Sequence, residues 1–238
     1  QGGIIIEYDS SSVWVEDCYT VNVADGNNDA CGFYVLYGTS GHPVKNCHVI
    51  NCSGLNSGNY GIEFYQYCQD CQVIGGNYTG CTNEGVTWNT NTITNCSAVG
   101  VSIRSTTGKG IRSLCNGAVV NGCNVKDGYI RLYANADRTQ VVGCRVDYAG
   151  GNGIVVDGAV ECSIVGNIVN AAIPLMFYSS GSSYNIAKNN ILNGTSYGVM
   201  FASGANYNQV IQNIIYAPAP LYDNGTANIT TDNKVNGG

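Results

Sequence analysis

The stretch from Val120 to Ile168 decides the fold. Its segments are, in order, VVNGCNV (119–125), GYIRL (128–132), VVGCRV (141–146), GIVV (153–156) and IVGNIV (164–169). Two patterns alternate in it: V-x-x-C/N-x-V, and a glycine followed by Val, Ile or Tyr and another apolar residue. Both return along most of the chain at intervals of roughly 20–27 residues, a period that indicates a solenoid rather than an ordinary globular domain.

The two patterns extend almost from end to end. The first occurs at Val15–Cys18, Val49–Cys52, Val73–Gly76, Ile93–Cys96, Val120–Cys123, Val141–Cys144, Ile164–Asn167, Ile186–Asn189 and Val210–Asn213. The second occurs at Gly61–Phe64, Gly85–Trp88, Gly100–Ile103, Gly128–Leu132, Gly153–Val156 and Gly198–Phe201. The longest departure from the period is residues 24–41.

Apolar residues alternate with polar ones over three to five positions within each repeat, which predicts short strands with one face on a core. Strands this short, with brief connections and no 3.6-residue period, predict an all-β chain coiled into a single parallel β-helix of about nine coils. Successive coils would lie about 4.8 Å apart. We expect one domain over residues 1–238, with residues 1–12 as an N-terminal cap strand and residues 217–238 as a C-terminal cap or tail.

In-register coils would stack equivalent side chains in ladders. The pattern V-x-x-C/N predicts one such ladder, in which a buried Asn bonds its amide to the backbone and to the next Asn. Cys would fill the same slot as a small apolar residue. The predicted members are Cys18, Cys52, Cys96, Cys123, Cys144, Asn167, Asn189 and Asn213.

Charge and composition limit the classes of function that are open to this chain. The net charge of −6 and ten scattered basic residues oppose nucleic-acid binding, which needs clustered Lys and Arg. No apolar run is long enough for a transmembrane span. Twelve cysteines in a chain with only 11% charged residues favour an extracellular or cell-surface location. Six N-x-S/T sequons give candidate glycosylation sites at Asn51, Asn77, Asn95, Asn193, Asn224 and Asn228.

The repeat resembles the right-handed parallel β-helices of pectin-active enzymes, alginate epimerases, phage tailspikes, NosD-like periplasmic proteins and archaeal surface proteins. The resemblance covers about Val13 to Ile215. It implies the fold, and it implies little about function because this fold carries many chemistries and several inert roles.

Cysteines on neighbouring coils predict two disulfides. Cys47 and Cys71 each lie two residues before a strand Val, and Cys123 and Cys144 occupy consecutive positions of the V-x-x-C ladder. A separation of about 4.8 Å between stacked Cα atoms falls in the disulfide range, with reduced core cysteines as the alternative. Cys68 and Cys71 have metal-ligand spacing, but no second pair accompanies them, so no metal is predicted. Cys31, Cys81, Cys115 and Cys162 have no clear partner.

Catalytic groups are sparse. Hydrolases and lyases of this fold need clustered carboxylates, or acidic ligands beside a basic residue. The outward positions of the second strand are predicted to be Glu63, Thr87, Ser102, Val155 and Met200, a face that is not acidic. The remaining catalytic candidates are Glu63, Arg104, Arg112, Arg131 and Asp157, each more typical of a solvated surface.

Two histidines and a set of tyrosines are further candidates for functional residues. His42 and His48 are interpreted as a turn residue and an outward strand residue. Five tyrosines could form a strip for stacking sugar rings, with packing in loops or against another subunit as the alternative. They are Tyr34, Tyr37, Tyr65, Tyr67 and Tyr133.

Three functions remain open on the sequence alone. The first is a structural extracellular subunit of a self-assembling sheath, fibre or layer, which would make the partner a second copy of this chain in a homo-oligomer or homopolymer. The second is a polysaccharide-active enzyme of lyase type. The third is a non-catalytic carbohydrate-binding or adhesion module. No cofactor is predicted, and polysaccharide is the other candidate partner.

Overall fold

The computed structural model describes residues 2–23 and 31–236 and shows a right-handed parallel β-helix with three sheet faces. Every pairing between its strands is parallel and joins one coil to the next. Face two is the most regular, with ten strands stacked in order and therefore nine steps. At about 4.8 Å a step the rod is roughly 40 Å long, which confirms the predicted fold and coil number. No helix occurs in the described part of the chain.

The strands of face two are three residues long. They are Trp14–Glu16, His48–Ile50, Gln72–Ile74, Ser97–Val99, Val119–Asn121, Gln140–Val142, Ser163–Val165, Ile186–Lys188, Gln209–Ile211 and Ile229–Thr231. Their central residues point inward and form a continuous apolar column from Val49 through Val210.

Faces one and three meet at a corner that four long strands run through: Ser102–Ser113, Asn124–Tyr133, Arg145–Asp157 and Ile168–Phe177. The other strands of face one are Gly2–Glu7, Cys31–Tyr37, Tyr60–Phe64, Val86–Trp88, Tyr197–Phe201 and Ala219–Asp223. The other strands of face three are Tyr19–Val21, Ser53–Leu55, Asn77–Cys81, Ile191–Gly194, Ile214–Tyr216 and Lys234–Asn236. A small separate pairing joins Val44–Lys45 to Cys68–Gln69.

The chain ends differ in part from expectation. Gly2–Glu7 pairs with Cys31–Tyr37 and so begins the first coil. Val15 pairs with Val49, 34 positions later, which confirms that the first repeat is longer than the rest. The segment from Ala217 was expected to leave the repeat. It instead adds another turn, in which Asn228 and Asn233 continue the two interior ladders described next.

Two interior ladders flank face two. The residue just before each strand forms the leading ladder, and the residue two places after each strand forms the trailing ladder. Leading-ladder members are Val13, Cys47, Cys71, Cys96, Ala118, Thr139, Cys162, Asn185, Asn208 and Asn228. Trailing-ladder members are Cys18, Cys52, Gly76, Val101, Cys123, Cys144, Asn167, Asn190, Asn213 and Asn233.

The predicted ladder is therefore correct in kind and wrong at two members. Cys96 belongs to the leading ladder, at the other end of its strand. Asn190, not Asn189, occupies the trailing ladder, because Asn189 is the exposed left-handed residue that turns the chain (φ 56°). A residue with positive φ precedes every trailing-ladder residue from Cys18 to Asn233, and most of these are Gly, Asn or Asp, the types that tolerate this conformation best.

Buried asparagines carry the C-terminal half of the trailing ladder. The Asn190 Nδ2 donates to the Ile164 carbonyl (3.0 Å) and to Asn213 Oδ1 (2.9 Å). Its Oδ1 accepts from both the backbone N–H and the Nδ2 of Asn167, each at 2.9 Å. Every polar atom of the side chain is thus paired, which is what makes a fully buried amide acceptable.

In the N-terminal part of the trailing ladder, cysteine supplies the donor side of this hydrogen bonding. The Cys144 thiol donates to the carbonyls of Val120 (3.6 Å) and Val142 (3.4 Å). The Asn213 amide donates to the equivalent carbonyls of Ala187 (3.1 Å) and Ile211 (3.0 Å). The S–H group therefore replaces the amide N–H as a weaker donor to the same backbone oxygens.

The two predicted disulfides are not formed in the structure. Cys47 with Cys71, and Cys123 with Cys144, lie on consecutive rungs as expected, yet all four are free thiols. Each of the four thiols donates a hydrogen bond to a backbone carbonyl. Among the described residues no cluster of three or more His, Cys, Asp or Glu could hold a metal ion.

Side-chain packing explains why the second pattern begins with glycine. A Cβ atom at Gly85 would lie 2.4 Å from Ile103 Cγ2, and one at Gly153 would lie 2.2 Å from Val169 Cγ1. These glycines lie where inward side chains of face three fill the corner. The apolar residues that follow build the core of face one, including the stacked rings of Phe177 and Phe201 (4.9 Å, 10°).

Replacing Asn190 with Ala is expected to lower the free energy of unfolding by about 2–4 kcal/mol, because the backbone N–H and amide of Asn167 lose their acceptor. The matched control is Asn189→Gly, which keeps the left-handed turn and is expected to change stability by well under 1 kcal/mol. Urea unfolding of both variants measures this. A larger loss for Asn189→Gly would contradict the ladder register.

The buried thiols are expected to resist alkylation in the native protein. Burial raises the pKa of Cys81 to about 12 and that of Cys162 to about 12, so both are protonated and unreactive at pH 8. Half-buried Cys18 should react with iodoacetamide before the others, and all should react in guanidinium. Non-reducing peptide mapping is the check; a Cys47–Cys71 or Cys123–Cys144 bridge in it would contradict the free-thiol assignment.

Candidate functional site

Four of the five catalytic candidates lie together on face one. The outward column there contains Glu63, Thr87, Arg112, Arg131 and Val155 in successive coils. Ser102, which the sequence placed in this column, begins face three instead, because the strand Ser102–Ser113 is long enough to run through the corner. Arg112 and Arg131 were recognised as candidates, but their adjacency to Glu63 depends on that long strand.

The side chains of this column are engaged with one another. Arg131 donates to Asp157 Oδ2 through Nε (3.1 Å) and Nη2 (2.5 Å). Arg112 Nη1 donates to Asn89 Oδ1 (2.9 Å), and Asn89 Nδ2 donates to Glu63 Oε1 (2.6 Å). This network links two carboxylates and two guanidiniums across face one.

Tyr133 completes the network. Its ring lies under both guanidinium groups, with the Cζ atoms of Arg112 and Arg131 at 5.1 and 4.4 Å from the ring centre. Such cation–π contacts contribute about 0.5–2 kcal/mol. Glu63, Arg112, Arg131 and Asp157 therefore each have a hydrogen-bond partner on face one.

The remaining candidates are separate from that cluster. Arg104 is on face three, where it pairs with Asp127 (3.3 Å) on the surface. His42 bonds the carboxylate of Asp9, and His48 points outward from face two beside the Trp14 ring (5.9 Å). Tyr65 and Tyr67 are half-buried. The side chains of Tyr34 and Tyr37 lie outside the described part of the structure.

A groove of about 670 Å³ lies on the outer side of face three, where that face meets the corner to face one. Its floor is an outward column of in-register residues: Asp147, Asn170, Asn193, Tyr216 and Asn236. Its corner wall comes from residues that directly follow the floor positions, and includes Tyr148, Ala149, Ala171, Gly194, Thr195, Ala217 and Pro218. The lining is mostly small, amide-bearing or aromatic.

Hydrogen bonds connect the polar floor residues from coil to coil. Asn193 Nδ2 donates to Asn170 Oδ1 (2.5 Å), and Asn170 Nδ2 donates to the Asp147 carboxylate. Arg145 donates to both oxygens of Asp147, through Nε to Oδ2 (2.7 Å) and through Nη2 to Oδ1 (3.3 Å). Asp147, Asn170 and Asn193 are called the amide row below. They remain half-buried and reachable from the groove.

Asp147 is ionised in this setting. Burial acts to raise its pKa, but the hydrogen bonds from Arg145 and Asn170, with Lys126 nearby, outweigh burial and hold the pKa below its usual value. Sequence reasoning missed the groove. The signal was available as polar or tyrosine residues one place after the inward Val, Leu or Ile of four face-three strands, in RVD, IVN, ILN and IIY.

No protein-family model and no curated protein matches the sequence. Solved structures do match its fold. The A-module of the mannuronan C-5 epimerase AlgE6 of Azotobacter vinelandii aligns with 96% of this chain and 74% of its own length, at 14% identity and a TM-score of 0.60.

The second likeness is to a phage protein. A double mutant of the tailspike protein of E. coli bacteriophage HK620, in complex with a pentasaccharide, aligns with 99% of this chain at 12% identity and a TM-score of 0.62. This chain spans 56% of that tailspike. At these identities the likeness concerns the fold, and it places the chain among right-handed parallel β-helices.

No helix that is long and apolar enough to cross a membrane occurs within residues 2–23 and 31–236.

Proposed function

We propose that this protein binds carbohydrate through the groove on face three. The observation that carries the proposal is the groove floor, in which an aromatic ring and a row of side-chain amides and a carboxylate lie in register along the rod. Sugars are bound by such a combination, since hydroxyls pair with amide and carboxylate groups while the ring contacts the apolar side of a pyranose.

The linear form of the groove favours an extended chain over a single sugar. Each coil contributes one floor residue, so the same kind of contact is repeated about every 4.8 Å along the axis. The two structural neighbours described above are named for mannuronan and crystallised with a pentasaccharide, respectively, which supports a carbohydrate ligand here. Binding, rather than bond cleavage, is the activity proposed.

Tyr216→Ala and Asn193→Ala are each expected to weaken polysaccharide binding about ten-fold, the equivalent of one lost contact of about 1.4 kcal/mol. Affinity electrophoresis in gels containing glucan, galactan, mannan, xylan or polyuronate would identify the ligand and measure the loss. Tyr184→Ala, which removes an exposed tyrosine outside the groove, is the matched control. Equal binding by all three variants would place the ligand elsewhere.

A second candidate function, self-assembly into a sheath, fibre or layer, is favoured by face two. Its outward side chains include an apolar column of Ile50, Ile74, Val99, Val142, Val165 and Ile211, all partly exposed. Only Glu16 and Lys188 carry a formal charge among the outward residues of its ten strands. A flat, nearly uncharged sheet face is suited to packing against a second copy. This second proposal includes an extracellular location and glycosylation of the protein.

Val142→Glu is expected to abolish concentration-dependent association if face two packs against a second copy, because the interface would bury an unpaired carboxylate. Sedimentation velocity over a hundred-fold concentration range measures the association. Asn124→Asp adds the same charge on face three and should leave association intact. If the wild-type protein is monomeric at every concentration, the self-assembly proposal is wrong. The proposal that the groove binds carbohydrate is unaffected by that result.

A further inference from the structure

The ionised carboxylate of Asp147 fixes the direction of the amide row. A carboxylate only accepts hydrogen bonds, so Asn170 must turn its NH2 group toward Asp147. The Asn170 carbonyl then faces Asn193, whose own NH2 group donates to it. The Asn193 carbonyl is thereby left facing the Tyr216 rung. One charged side chain thus sets the orientation of two amides over two further coils.

This orientation gives the groove a definite hydrogen-bonding pattern. The row ends in a carbonyl acceptor at Asn193, and each NH2 group keeps a second N–H beyond the one used within the row. A sugar hydroxyl can donate to the first and accept from the second. Neutral hydroxyl and acetamido groups can both donate to and accept from such a surface. The carboxylate group of a uronic acid can only accept.

The charges of the groove lining are one-sided. The lining residues include the carboxylates of Asp127 and Asp147 and, within the described chain, no Lys or Arg. The nearest guanidiniums are already committed, Arg104 to Asp127 (3.3 Å) and Arg145 to Asp147 (2.7 Å). Lys126 lies one rung before Asp147 on the exposed part of face three. A uronic acid in the groove would therefore face the carboxylate ends of two ion pairs, while the cationic ends lie outside the lining.

We infer that the groove binds an uncharged glycan in preference to a uronic acid polymer, and that Asp147 is the positioning residue that sets this preference. The inference rests on the proposed carbohydrate-binding function and names its ligand class. Asp147 acts in two ways: it orients the Asn170 and Asn193 amides, and it places the carboxylate end of its ion pair with Arg145 in the groove.

Matched oligosaccharide pairs test the inference. Hexamers of glucose, galactose and mannose would each be compared with the corresponding uronic acid hexamer, which differs only in carrying a carboxylate at C6. Isothermal titration calorimetry of the wild-type protein is expected to show at least ten-fold tighter binding of the neutral member of whichever pair binds.

Asp147→Asn is the decisive variant. An amide at this position can donate or accept, so the direction of the row is no longer imposed, and the negative charge is lost. We expect neutral binding to weaken several-fold, uronic binding to strengthen, and the ratio between them to fall at least five-fold. Asp17→Asn is the matched control, because it removes one negative charge at an exposed left-handed turn outside the groove. It should leave both affinities unchanged.

The outcomes separate the two proposals. Preference for a uronic hexamer, lost in Tyr216→Ala, would overturn the ligand class and leave the groove as a carbohydrate site. A neutral-to-uronic ratio unchanged in Asp147→Asn would overturn the role of Asp147. Binding of no hexamer in any pair, together with no retardation in polysaccharide gels, would overturn the carbohydrate function itself.

Discussion

The structure depends on one constraint: equivalent residues of successive coils must stack in register about 4.8 Å apart. Each interior position must therefore suit the residues directly before and after it in the stack. Asn190 is acceptable in a dry interior only because Asn167 below it and Asn213 above it complete its hydrogen bonds. The glycine pattern has the same origin, since a side chain at Gly85 would collide with Ile103 of the neighbouring face.

This constraint also explains why cysteine and asparagine exchange along the chain. Both donate to the same backbone carbonyl of the previous coil, and Asn213, like Cys144, also donates to the carbonyl two residues back. Asparagine additionally accepts from the coil before it, so it holds consecutive coils more firmly. The thiols are therefore best understood as core residues. A chain rich in cysteine need not be rich in disulfides when its fold supplies a hydrogen-bonding slot for each one.

The outer surface uses the same register for a different purpose. Inside, stacking satisfies buried groups; outside, it arranges exposed groups into rows. Face one forms the network of Glu63, Arg112, Arg131 and Asp157, whose side chains pair mainly within the face. Face two forms an apolar column with almost no charge. Face three forms the groove with its row of polar side chains. If the proposed functions hold, this β-helix separates stability, assembly and binding onto different faces of one rod.

The sequence by itself determined the repeat, the all-β class, the parallel β-helix and the stacking of cysteines on neighbouring coils, because these follow from periodicity and residue size. It misplaced Asn189 for Asn190 and Ser102 for Arg112, since a one-residue shift or a strand that passes through a corner leaves the apolar pattern almost unchanged. Only the tertiary structure decided the site. Asp147, Asn170, Asn193 and Tyr216 are each 23 residues from the next, and only the register of the coils shows that these positions form one outward row.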